Sequence, residues 1–314
     1  MSLYRKLRTV AQLLARRDFS TLLRQWKYNK GQFILRRHGS TPFVHHAAGH
    51  RLVCFPDHPD SVTQLLEGGD DQWELTLLRR WLQPGDAFVD AGANLGLYAH
   101  AVAGHFHGKV PVLALEASPD LVARLKLGAA LLGEENLQAV QVAVGAEPGE
   151  VEFFLARPGE TTVSQSMRMT AAEAGGYERH RLPMRPLAAL AAQYLPALRP
   201  GAVKIDVEGA EPLALRGAPL DWLGANGPLW LVEINLPVLA RMGFRAEDVL
   251  RQFPATAFAC WILPKYPLAA GMPERPRRLQ ADEALQDARF YNLIAVPAGA
   301  AAAPRRARIR DLFP

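Results

Sequence analysis

A doubly wound α/β fold with a mostly parallel sheet is predicted by three observations. Apolar runs of strand length alternate with helical segments from residue 73 onward, a glycine-containing loop follows the first of these runs, and later runs end in acidic residues. Strands that are apolar throughout, rather than at alternate positions, belong to a sheet covered by helices on both faces.

The elements follow in order. The spacing predicts a helix over 74–83, stopped by Pro84-Gly85, then the strand AFVDAG, a helix over 95–105, the strand in VPVLALEAS, a helix over 119–132 and the run LQAVQVAVG. After an irregular stretch come AVKIDVEGAE, a helix to about Leu223, PLWLVEIN, a helix to about Phe253, ATAFACWIL and RFYNLIAV. The last two strands have no clear helix between them and read as an antiparallel edge pair. Residues 155–183, rich in Thr, Ser, Met, Gly and Arg, break the rhythm and read as a lid or substrate loop.

Upstream of this body, Leu3, Leu7, Val10 and Leu14 recur at helical spacing among Arg5, Lys6, Arg8, Gln12 and Arg16, a basic amphipathic helix. A second helix, capped by Asp18 or Ser20 and carrying Leu22, Leu23 and Trp26, is expected to end near Gly31. Two readings of this arm stand side by side: attachment to an anionic membrane surface or acidic partner, and a helical hairpin packed on the body. Residues 43–60 suggest one or two short strands. Their histidines, His45, His46, His50 and His58, lack the spacing of a ligand set and read as loop residues. The expected organisation is a basic helical arm over 1–40, a strand and loop region over 41–72, the main domain over 73–297, and an Ala/Pro-rich linker with a disordered basic tail over 298–314.

The chain of 314 residues is long enough to bury a full core. Two cysteines, Cys54 and Cys260, support neither a disulfide framework nor a thiolate zinc site and fit a reducing cytoplasm. No secretory signal or membrane-spanning run is evident, which leaves a cytoplasmic protein, at most peripheral to the inner face of the membrane. The net charge of +5 is unevenly spread. Residues 1–38 hold ten Lys or Arg against one Asp, and the tail from Arg305 holds four Arg against Asp311. Removing that +9 and +3 leaves −7 for residues 39–304, so the basic character lies at the ends.

In an open parallel sheet, ligands sit outside the carboxyl ends of the strands. The first end is Asp90-Ala91-Gly92-Ala93-Asn94-Leu95-Gly96, where Gly92 permits close backbone approach and Gly96 close packing at the helix start. It is not the dinucleotide pattern, because Asn94 takes the second glycine position. Asp90 repels phosphate and attracts an ammonium or sulfonium, which favours a ligand such as S-adenosylmethionine. Glu116, at the second strand end, is placed to accept ribose hydroxyls, and Ala143, at the third, to line an adenine slot. The fourth end groups Lys204, Asp206 and Glu208, and the fifth brings Glu233 and Asn235 into the same crevice.

The segments PGDAFVDAGANLGLY, LALEASP, VKIDVEGAE and LVEIN, in this order and spacing, resemble the FkbM family of methyltransferases between about Glu74 and Phe244. The resemblance implies a class I methyltransferase (Rossmann-like) architecture, a seven-stranded sheet with an antiparallel edge strand plus the N-terminal arm. It also implies O-methylation of a sugar, glycolipid or polyketide-like product. Carried onto this sequence, Asp90, Gly92, Asn94 and Gly96 hold the cofactor, Glu116 the ribose, and Asp206 with Glu208 the catalytic floor; Glu74 matches an acidic family position. Two departures stand out: Ala117 where the family has proline, and Ala188 in PLAALA where it has aspartate, which removes a cap or substrate contact. Ser164 and Ser166 resemble a family serine region and are expected near substrate.

Methyl transfer to an alcohol needs in-line positioning and a proton acceptor, and Asp206 is the favoured group, Glu208 the next, with Lys204 as its partner. A magnesium ion on Asp206, Glu233 and Asn235 is a second route to an activated hydroxyl. His100 reads as a packed helical residue rather than a base. The competing functions are a nucleic-acid methyltransferase, set against the acidic body, and a non-catalytic binding protein on the same fold.

Overall fold

The structure is a computed structural model that describes residues 19–47, 49–62, 65, 72–156, 177–265, 275–280, 283, 285 and 290–314. The stripe Leu3 to Leu14 and the pair Ser164 and Ser166 lie outside these residues. In chain order the elements are α1 (Phe19–Arg37), β1 (Phe43–Ala47), β2 (His50–Cys54), α2 (Gln72–Trp81), β3 (Ala87–Ala91), α3 (Leu97–Phe106), β4 (Val112–Glu116), α4 (Pro119–Leu132) and β5 (Leu137–Gln141). Then follow β6 (Ala143–Val144), β7 (Gly149–Ala156), β8 (Tyr177–Arg185), α5 (Leu187–Tyr194), β9 (Pro200–Ile205), α6 (Glu211–Arg216) and β10 (Leu229–Asn235). The chain ends with α7 (Leu236–Met242), α8 (Ala246–Leu250), β11 (Phe258–Pro264), β12 (Arg277–Arg278), β13 (Phe290–Pro297) and α9 (Ala303–Ile309).

The main sheet has the order β12-β11-β13-β10-β9-β3-β4-β5. Strands β5, β4, β3, β9 and β10 run parallel, and the order reverses at β3, where β4 lies on one side and β9 on the other. That is the doubly wound arrangement the alternating pattern requires. Alternation along each strand divides the core in two. Phe88, Ala114, Ala202 and Leu231 pack with Leu75, Trp81 and Tyr98 of α2 and α3, while Val89, Leu115, Val203 and Val232 pack with Leu190, Leu215 and Leu239 of α5, α6 and α7. The same alternation puts Asp90, Glu116, Lys204 and Glu233 on the face covered by α2 and α3.

Three expectations are corrected in detail. The last two long strands form the expected antiparallel pair, but with β13 inside, inserted between β10 and β11 and antiparallel to both, and the two-residue β12 makes eight strands in place of seven. Of the lid or substrate loop expected over 155–183, residues 157–176 lie outside the described residues; its ends belong to β7 and β8, which pair antiparallel from Gly149 with Met184 to Ala156 with Tyr177, with β6 joining them in a separate sheet. Helix α1 does not stop at Gly31 but runs to Arg37, since a buried Gly31 allows close contact with Val62, whose Cγ1 lies 3.3 Å from where a Cβ would stand. The last residues are no loose tail. Arg305 forks onto Asp86 at 2.6 and 2.8 Å, Arg306 donates to the carbonyls of Pro297 and Gly299, and Arg308 to those of Arg80 and Leu82, fixing α9 against α2.

Two local features answer the family departures. With Ala117 in place of proline, the chain turns into α4 through Ser118, whose Oγ accepts the Leu121 N–H and whose own N–H donates to Glu116. Ala188 offers no side-chain cap to α5, and its N–H donates instead to the Gly217 carbonyl at 2.8 Å.

Candidate active site

At the carboxyl ends of β3, β9 and β10 five carboxylates, Asp90, Asp206, Glu208, Glu211 and Glu233, gather around Lys204 and, beside Glu208, Arg241. Lys204 is central: its Nζ lies 3.5 Å from Asp90 Oδ1, 3.3 Å from Asp206 Oδ2, and 5.0 Å from the Tyr98 ring centroid. Asp90 is 1% exposed, and neither of its carboxylate oxygens has a hydrogen-bond partner. Burial raises its pKa, with Lys204 opposing. Burial alone would lower the Lys204 ammonium, but Asp206 and Asp90 outweigh it and hold the charge. Asp206 is the open member, its side chain 34% exposed.

The β3 loop is fastened by Glu116. One carboxylate oxygen accepts the Asn94 N–H at 2.9 Å and the other the Ser118 N–H at 2.9 Å, while burial raises its pKa and these bonds oppose the rise. Asn94 holds a left-handed φ of 49°, a conformation costing roughly 1–3 kcal/mol in a non-glycine residue, and its side chain reaches Asp60 at 3.1 Å. Gly92, at φ 78°, approaches protein rather than open space: a Cβ there would lie 1.7 Å from the Asp206 carbonyl oxygen, so the β3 and β9 loops touch. At Gly96 an added Cβ would meet His100 and Leu125 at 2.6 Å, the close helix packing expected of it. Ala143 leaves the main sheet for β6 and packs with Ala117 just beyond Glu116.

A second glutamate does for the β9 loop what Glu116 does for the β3 loop. Glu211 is fully buried, and its Oε1 accepts the N–H groups of Val207 at 2.9 Å and Gly209 at 3.1 Å, bracketing Glu208 at a left-handed φ of 54°. Its Oε2 has no hydrogen-bond partner, and burial followed by the charge of Asp206 raises its pKa to about 7. The sequence offered Glu211 only as the last letter of KIDVEGAE; the signal was an acid three residues past a turn residue. Burial and neighbouring carboxylates also push Glu208 and Glu233 well above the usual glutamate range.

Asp206, Glu211 and Glu233 each offer an oxygen within 4.8 Å of the others. Asn235, expected beside them, caps α7 instead, its Oδ1 accepting the Val238 N–H at 3.4 Å. His100 is a packed residue, its Nδ1 2.6 Å from Glu134 Oε2 with both side chains buried. Glu74, also buried, takes Asn292 Nδ2 at 2.8 Å and Lys265 Nζ at 2.6 Å on one oxygen. His50 pairs with Arg79 at 2.9 Å.

The residues suit a nucleoside with a positive centre. Buried Asp90 sits 3.5 Å from Lys204, Glu116 lies at the end of the neighbouring strand, and these acids favour a positive centre over a phosphate. A mostly parallel sheet with its switch at β3 and a glycine loop at that point is the architecture of a class I methyltransferase. Residues 90–252, just over half of the chain, match the family described as the methyltransferase FkbM domain, and the chain belongs to that family.

Among solved structures, the chain is similar to the methyltransferase FkbM from Methylobacillus flagellatus KT at 14% identity and a TM-score of 0.41, covering 75% of this chain and 53% of that one. It thus spans about half the length of that protein. TYW2 of M. jannaschii in complex with AdoMet is similar at 10% identity, with 82% and 85% coverage and a TM-score of 0.40. An rRNA methylase from Streptococcus thermophilus is similar at 11% identity, with 72% and 95% coverage and a TM-score of 0.39. No curated protein matches the sequence.

Proposed function

We propose that the protein O-methylates a hydroxyl of a sugar, glycolipid or polyketide-like product, with Asp206 accepting or orienting the hydroxyl proton. The observation that carries this is the distribution of exposure among the acids. Asp90 and Glu211 are buried, Glu116 and Glu211 are occupied by backbone N–H groups, and Asp206 combines a side chain 34% exposed with the Lys204 ammonium 3.3 Å away. S-adenosylmethionine supplies an electrophilic methyl group when bound. The chain's own residues do the rest: Asp90, Gly92, Asn94, Gly96 and Glu116 hold the cofactor, Ala143 borders its base, and Lys204, 3.3 Å from Asp206, orients that carboxylate beside the acceptor. Glu208 is the neighbouring candidate, and Ser164, Ser166 and Glu233 are assigned to the acceptor side. The acidic crevice favours a neutral or cationic acceptor over a polyanion such as nucleic acid.

Asp206→Asn is expected to lower kcat at least about 100-fold while leaving cofactor affinity, by calorimetry, within about threefold of the parent, less than 1 kcal/mol. An acceptor screen with labelled cofactor supplies the substrate for this assay. Full activity of both Asp206→Asn and Glu208→Gln, or efficient labelling of bulk RNA or DNA, would overturn the reading; absence of cofactor binding to the parent would favour a non-catalytic protein.

A second reading is favoured by the acid triad: a divalent cation held by Asp206, Glu211 and Glu233 lowers the pKa of the acceptor hydroxyl. Activity that survives chelation and is unchanged by added magnesium would dismiss it.

A further inference from the structure

Helix α1 has one flank on the body and one facing outward. Gly31 is buried against Val62, and Leu35, 3% exposed, clusters with Cys54 and Val62, so this flank is anchored beside the β1–β2 hairpin. Opposite them stand Trp26, 59% exposed, and Phe33, 58% exposed. Positions 26, 30, 33 and 37 follow the i, i+4, i+7, i+11 spacing of a single helical stripe.

The stripe alternates rings and cations. Lys30 Nζ lies 5.3 Å from the Trp26 ring centroid, and Arg37 Cζ lies 5.2 Å from that of Phe33. Tyr28 is exposed on the helix as well. From Phe19 to Ser40 the sequence holds Arg24, Lys27, Lys30, Arg36 and Arg37 and no acid, and Arg5, Lys6, Arg8, Arg16 and Arg17 precede it.

We infer that α1 docks on the surface of an anionic bilayer, with Trp26 and Phe33 entering the headgroup region and Lys30 and Arg37 meeting lipid phosphates. Rings with cations at their flanks have the chemistry of an interfacial helix, an apolar body with a charged tip at phosphate level. The stripe is convex and four residues long, narrower than the roughly 1,200 Å² that a stable protein interface buries, whereas a fluid bilayer asks for no complementary shape. No helix among the described residues is long and apolar enough to cross a membrane, so α1 lies on the surface. The inference adds to the proposed function the surface at which that reaction occurs, and it favours acceptors carried on lipid.

The test is co-sedimentation of the full chain with phosphatidylcholine vesicles, with and without phosphatidylserine, in the absence of cofactor and acceptor. The parent is expected to pellet with the anionic vesicles, less so as salt rises. Trp26→Ser with Phe33→Ser, and separately Lys30→Glu with Arg37→Glu, are each expected to weaken this at least about tenfold, with circular dichroism and cofactor affinity unchanged because all four positions are exposed. Equal pelleting of parent and variants overturns the inference. So does a parent that ignores vesicles, one that forms a dimer lost in the Trp26→Ser/Phe33→Ser variant, or one that binds RNA through these residues in place of lipid. None of these outcomes touches methyl transfer, which is read by cofactor binding and the Asp206→Asn assay.

Discussion

A carboxylate gripping two backbone N–H groups is a stiffer fastening than a glycine turn alone, and the site has two of them. Glu116 ties the β3 loop at Asn94 to the turn after β4 at Ser118, and Glu211 holds the β9 loop around Glu208. Removing Glu116 orphans the N–H groups of Ser118 and of Asn94, the latter already held at positive φ. Glu116→Ala is therefore expected to weaken cofactor binding at least about tenfold, while Glu116→Gln, which keeps one acceptor oxygen, retains part of the affinity; calorimetry on both variants checks this. Of the two acids, only Glu116 stood out beforehand, and then as a ribose acceptor rather than a fastening, because a strand-end acid about twenty residues after a glycine loop is a linear pattern. Glu211 did not, since its role depends on the left-handed turn at Glu208.

Glu211 also makes stability depend on pH. Its folded pKa of about 7 lies above the unfolded value of about 4.3, so between these values the folded protein binds more protons than the unfolded chain, and stability falls as pH rises through that window. The contribution is fully present below the unfolded pKa and lost above about 7. Urea melts of the cofactor-free protein from acid to neutral pH are expected to show this decline. Glu211→Gln, which does not titrate, should make the decline shallower; the remainder comes from Glu208 and Glu233, which shift in the same direction. Stability that climbs through the window, or a variant with the parent's slope, would contradict the assignment. A cationic cofactor should bind more tightly as the pH rises through the same range.

Among the elements, α9 is the one whose composition misleads. Ala300 to Ala303 with Pro304 and a run of arginines has the profile of a tail, yet its partners Asp86 and the carbonyls of Arg80 and Leu82 lie more than two hundred residues earlier, where no local pattern can show them. Asp86 also accepts the Gln83 N–H, and Trp81 reaches the Gly201 carbonyl, so the Arg305 fork ties the C-terminus to the corner between α2 and β3 and to the start of β9. Arg305→Ala leaves Asp86 largely buried without its counter-charge and is expected to destabilise the protein by about 2 kcal/mol. Arg305→Lys should recover only part of this, because a single ammonium cannot reproduce the bidentate fork. Chemical denaturation of the three proteins measures both. The continuation of α1 past Gly31 was hidden in the same way, since the glycine that reads as a stop is a contact with Val62.

At the scale of the whole molecule, the alternation of apolar runs and helices was enough to predict the doubly wound architecture, and the strand ends were enough to predict which loops meet. What the pattern did not carry was strand order beyond β10, because pairing partners are chosen by tertiary packing. The charge distribution was legible as well: an acidic body with basic ends becomes, in three dimensions, an acidic crevice, an outward cationic helix and a C-terminal helix whose arginines are largely consumed by internal contacts.

The placement of β13 between β10 and β11 also orders events during synthesis. In the main sheet β11 has only β12 and β13 as neighbours. An apolar strand, Phe258 to Leu263, therefore leaves the ribosome with no place in the growing sheet until residues up to Pro297 have followed it. The nascent chain carries an unpaired sticky edge through that interval, and the hazard of aggregation ends only when β13 has emerged.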